Sequence, residues 1–149
     1  MSPLDPLRIQ EHVHGHLGWL AAIALAHPAI LLRDRRRRAH WSVGLAVGMV
    51  TLAATMGLAM YPAYREKLRQ PIFASSATVG YLFERKEHFA FGVLMLAWTG
   101  GVAYVAAPFA EGRVRDSLRR VAHRAFVVAT ALAVLTAALG TVVAAYKTF

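Results

Sequence analysis

The chain contains no cysteine, and that one absence removes disulfides, thiolate-held iron–sulfur clusters and the C-x-x-C-H attachment of c-type haem. Any metal held by this chain must therefore be held by histidine, methionine or carboxylate. Acidic residues are scarce as well, 8 against 17 lysines and arginines, for a formal net charge of +9. Such an excess suits nucleic acid, but here the arginines are confined to short segments between apolar runs. That is where the charge that orients a membrane protein lies, so no nucleic-acid partner is expected. The sequence also lacks a nucleophile–base pair, a phosphate-cradling glycine loop and a carboxylate dyad. Hydrolysis and phosphoryl transfer have no support.

What is present is apolar. Of 149 residues 57% are hydrophobic, mean hydropathy is +0.43, and long uncharged runs place the chain among integral membrane proteins. Met1 to Gln10 carries one arginine, Arg8, and so lacks the basic start of a secretory signal. The positive flank instead follows the first apolar run, at Arg33, Arg35, Arg36, Arg37 and Arg38. An uncleaved first helix that ends in the cytoplasm is expected.

Read by length and charge, the chain predicts an all-α fold as one integral membrane domain over 1–149. Four transmembrane helices are expected, at about 12–32, 41–61, 88–109 and 122–146, in an up-down-up-down bundle with an external loop over 62–87. Pro62 permits at most a kinked continuation of the second helix, and a break is expected at Pro71. The apolar stretch from Ile72 to Phe83 is too short to span and reads as interfacial or as an extension of the third helix. Ten of the 17 basic residues fall in or beside the two loops on the side of Arg33 to Arg38. A multi-pass protein of a bacterial-type inner membrane, with both termini outside the cytoplasm, is the resulting expectation. RRRAH before the second helix also matches RRVAH before the fourth, setting Arg36, Arg37 and His40 against Arg119, Arg120 and His123. Two repeated helical hairpins would give this pattern.

The unusual stretch is Glu11 to Leu32. It carries no charge after Glu11, yet holds His12, His14, His16 and His27, four of the chain's seven histidines. An imidazole without a partner is costly within a membrane. His16 and His27 lie about 20° apart around a helix and about 16 Å apart along it. His12 falls beside His16, and His14 roughly opposite. With the expected topology His12, His14, His16 and His88 gather toward the outer face, and His27, His40 and His123 toward the cytoplasmic one.

Two neutral imidazoles from facing helices are the usual axial ligands of a b-type haem, whose propionates seek cations. The expected pairs are His16 with His88 outside and His27 with His123 inside, with His12 and His40 as alternative ligands. Arg65, Lys67, Arg85 and Lys86 supply cations at one end and the arginine loops at the other. By helix count and two-level histidines the chain resembles the di-haem cytochrome b type of membrane protein, in which a four-helix bundle holds one haem near each face. That resemblance implies two haem b groups and electron exchange with quinone or a redox partner, in the lipid bilayer, as an electron-transfer subunit of a larger oxidoreductase. Such families carry two ligands on each of two helices, whereas here the third helix offers only His88 and the fourth only His123.

Two other readings stay open. The close His12, His14 and His16 suit a copper or zinc site. Equally, the chain suits a non-catalytic membrane anchor or assembly subunit whose histidines are incidental.

Overall fold

The computed structural model describes residues 6–34 and 38–146, almost all of them helical. Arg35, Arg36 and Arg37 of the first arginine loop lie outside the described residues. Helix α1 runs Pro6–Leu31, α2 His40–Lys67, α3 Arg69–Ser75, α4 Ala77–Ala106 and α5 Gly112–Ala145, with a 3-10 turn at Ala107–Phe109 between the last two.

Helix α2 continues past Pro62 to Lys67, and the break expected at Pro71 is displaced. Pro62 lies inside α2 and Pro71 inside α3, where a first-turn proline lacks only an N–H that has no helical partner anyway. The chain bends instead at Leu68 and at Ser76, whose φ of −161° and ψ of 112° are extended. The Ser76 hydroxyl then accepts from the Val79 N–H at 3.4 Å, starting α4. Consequently the charged segment Glu84 to Glu87 follows the first two turns of α4 as continuous helix and is not a loop. At the other end Pro108 sits in the 3-10 turn, and Gly112 opens α5 with φ +49°, a conformation that favours glycine.

Among the described residues three helices are long and apolar enough to cross a membrane: α2, α4 together with the 3-10 turn, and α5. The fourth expected span, α1, is not among them, because its histidines fall inside its apolar run and dilute it. Outward-facing Leu45, Leu52, Leu58, Phe91, Val102 and Leu135 give the three spans the surface that lipid contact requires.

Helix α1 packs on α2 and α5, and α4 packs on the same two, while α3 lies across α2 and α4. Adjacent helices run antiparallel. A Cβ at Gly57 would meet His14, and His27 bonds to Ser42, in α1 and α2. Trp98 Nε1 donates to Thr51 Oγ1 at 3.2 Å, and Tyr64 stacks on Phe83 at 3.9 Å, in α2 and α4. Gly92 meets Leu132 and Gly100 meets Phe126 in α4 and α5.

Alanine dominates the main core: Ala21, Ala22, Ala46, Ala97, Ala122 and Ala129 are buried around Leu25 and Phe126. Small side chains let membrane helices approach closely, and dispersion between the backbones then holds them. Gly100 is an example, since a Cβ there would come within 2.9 Å of the Phe126 ring. A second cluster of Tyr64, Ile72, Val79, Phe83 and Val143 seals the end at which α3 sits.

Candidate functional site

Contacts along the helices define two ends. The α1–α2 and α4–α5 connections share one of them, since the Ala39 N–H at the start of α2 donates to the Tyr104 hydroxyl of α4 at 2.7 Å. No side chain of Ala39 could cap α2, and a tyrosine from the neighbouring helix takes that role. His27, His40 and His123 belong to this end. The opposite end holds the start of α1, the end of α2, the start of α4 and the end of α5, and with them His12, His14, His16 and His88.

Around α1 the structure orders the histidines differently from the expectation that the His16 and His27 stripe faces inward. The buried stripe is Ala21, Ala22, Leu25, Pro28 and Ala29, and His14 continues it, its ring against Gly57. His12 and His16 are exposed on the other side. Close packing selects the alanine face of α1, and the imidazoles opposite those alanines are left outside. His27 is also on the open side, but its Nδ1 and the Ser42 hydroxyl share a hydrogen bond of 2.9 Å. Ser42 is the buried polar residue of α2, only 7% exposed.

The pairing of His16 with His88 is not brought about. Their helices, α1 and α4, are not packing neighbours, and His88 is exposed on the side of α4 away from Val93 and Ala97. It lines a shallow groove of about 400 Å³ with Tyr81, Glu84, Arg85 and Phe89. Glu84 is bound there by Arg69 of α3, whose Nη2 donates to Oε1 at 2.9 Å.

At the arginine-rich end the three histidines differ in environment. His40 opens α2 and sets its ring edge against Tyr104, with centroids 5.3 Å apart. His123 is half-buried in the fourth turn of α5, so it is not the structural counterpart of His40 and the repeated-hairpin pattern does not extend to these residues. Its Nδ1 is buried and has no hydrogen-bond partner among the described residues. The helices of His27 and His123, α1 and α5, do pack on each other.

Three imidazoles have a determined tautomer. The Nδ1–H groups of His12, His16 and His88 donate to the carbonyl oxygens of Arg8, His12 and Glu84 at 2.9, 2.7 and 2.8 Å. Carbonyl oxygens only accept, so in the neutral ring Nδ1 carries the proton and Nε2 keeps its lone pair. No three or more histidine and carboxylate side chains converge on one point among the described residues.

Sequence reasoning missed Ser42 and Tyr104, the polar partners of His27 and of the α2 start. The available signal was a serine in an otherwise apolar run two residues after His40, and a tyrosine one turn before Pro108. Comparison of the chain with protein-family models, with curated proteins and with solved structures gives no match.

Proposed function

We propose that the protein is a membrane electron-transfer subunit of the cytochrome b kind, holding haem b at its arginine-rich end and exchanging electrons with quinone or a partner subunit. The observation that carries this reading is the buried, unpartnered Nδ1 of His123 on a helix packed against that of His27. A buried polar nitrogen left without a partner costs about 1–3 kcal/mol, so His123 is the imidazole of this end whose surroundings among the described residues are incomplete, and it would hold the iron through Nε2 while a group outside the described residues satisfies Nδ1. His27 would be the second residue to hold the haem, through Nε2, with Ser42 holding its Nδ1 and setting the ring. His40 is the alternative ligand. Arg33, Arg38, Arg119 and Arg120 lie at the same end to meet propionates. When bound, the haem would supply reversible one-electron transfer.

The fit is to one site and not to two. At the other end His16 and His88 face apart, so two haems inside a four-span bundle have no support from the packing. At the inner end the fully buried Leu25 and Phe126 occupy the interior, so the site would lie at the edge of the helices, beside the exposed flank of His27, and a partner subunit would close it.

A second reading, a membrane anchor or assembly subunit without cofactor, is favoured by that same filled interior. One measurement separates the two: the visible absorption spectrum of protein purified from membranes with its partners. Sharp reduced bands of low-spin haem that are lost equally in His27→Ala and His123→Ala, with no further loss in the double variant, support the cytochrome. Matching loss in His40→Ala instead of His123→Ala moves the pairing to α2. A featureless spectrum for the intact complex sinks the haem reading and leaves the anchor.

A further inference from the structure

We propose that His12 and His16 form a surface site for a borderline divalent transition metal such as Zn²⁺ or Cu²⁺, independent of any haem at the other end of the molecule. The two residues are one turn apart on α1 and both are exposed. Side chains at i and i+4 are neighbours, with Cβ atoms about 6 Å apart, a separation that one metal ion held by two metal–nitrogen bonds of about 2.0–2.1 Å can bridge. Histidine pairs at this spacing on a helix face are a recurrent zinc-binding arrangement.

Two features set this pair apart from histidines that merely share a face. Each ring already donates Nδ1–H to a backbone carbonyl, of Arg8 and of His12. That is the outer-shell bond that orients metal-bound imidazoles and leaves Nε2 as the ligand atom. Neither Nε2 is engaged by another described group, since those two bonds are the ones the rings make.

His14, between them in sequence, is excluded, because its ring is turned to Gly57 on the far side of the helix. The H-x-H-x-H run is therefore not one three-ligand site but a pair and a packing residue. With no third histidine or carboxylate converging among the described residues, the remaining coordination positions are left to water or to an exchangeable ligand. Imidazole donors favour copper and zinc over magnesium and calcium. Bridging one turn also pins the start of α1, which begins at Pro6 and is the least apolar of the four long helices in its membrane-length run.

The test is Zn²⁺ titration of tag-free protein in detergent, followed by calorimetry and by hydrogen exchange over residues 6–20. One equivalent is expected to bind, with exchange slowed in that segment and no effect of Mg²⁺ at the same concentration. His12→Gln and His16→Gln should each weaken binding at least tenfold, with the double variant no weaker than either single one, while His88→Gln binds as the parent does. Helicity by circular dichroism identifies a variant that has failed to fold, and His12→Asn with His16→Asn then replaces it. Unchanged binding in folded His12 and His16 variants, or equal loss in His88→Gln, overturns the proposal.

Discussion

The ring of His14 on α1 lies 3.0 Å from the place a Cβ would take at Gly57 on α2. The missing side chain at Gly57 thus leaves room for the His14 ring between these helices. Gly57→Ala forces a shift of a few tenths of an ångström that the ring can absorb. Gly57→Leu should separate the N-terminal half of α1 from α2, a change that hydrogen exchange over residues 12–24 would detect. If exchange in Gly57→Leu equals that of the parent, this contact does not hold α1 in place.

The Phe126 ring fills the core and is completely buried. Its removal in Phe126→Ala should cost about 3–5 kcal/mol, from lost transfer energy and the cavity together. Overpacking the facing position in Gly100→Leu should cost about 1–3 kcal/mol. Because the two residues touch, Gly100→Leu should be partly rescued by Phe126→Ala in unfolding measurements in mixed micelles. Strict additivity would argue that α4 and α5 are not in contact at this level.

Tyr104→Phe tests the cap of α2. It leaves the Ala39 N–H without its acceptor in a position only 4% exposed, which should cost about 1–3 kcal/mol. His40→Ala removes the ring contact with Tyr104 but keeps that hydrogen bond, and should cost less. Equal losses in the two variants would mean that the ring contact, not the hydrogen bond, holds α2 to α4.

Docking of α3 depends on burial more than on charge. Ile72 is 1% exposed, and Ile72→Ala should cost about 2–5 kcal/mol. The Arg69–Glu84 pair is exposed on both sides, where solvent screens an ion pair. Glu84→Gln should therefore disturb α3 less than Ile72→Ala, and its effect should fade in high salt. Thermal unfolding at two salt concentrations compares them directly.

Topology can be tested in a background that is already free of cysteine. With four crossings and both ends of the chain outside, Glu111→Cys should react with an impermeant maleimide from the cytoplasmic side only, and Gln10→Cys and Ser76→Cys from the outside only. If Gln10→Cys labels from the same side as Glu111→Cys, α1 does not cross, and the membrane holds three spans.

The sequence by itself determined that this chain is helical and membrane-like, because long uncharged runs leave the backbone no other way to satisfy its hydrogen bonds in lipid. It also determined the two levels of histidines, since position along a helix fixes height to about 1.5 Å per residue. What it did not determine is azimuth. His16 and His27 share a stripe in the sequence, and so do Ala21, Ala22, Leu25 and Ala29 on another side. Only packing decided which stripe faces inward, and it chose the small residues, which bring backbones close. His14 was thereby turned to Gly57, and His16 was left beside His12 on the open face. Likewise the charged run from Glu84 to Glu87 reads as a loop because charge is expensive in lipid. The α3 elbow, held by Ile72 against Phe83 and Tyr64, lets α4 continue through it as helix. Contacts between residues far apart in the chain made these choices, and no local pattern encodes them.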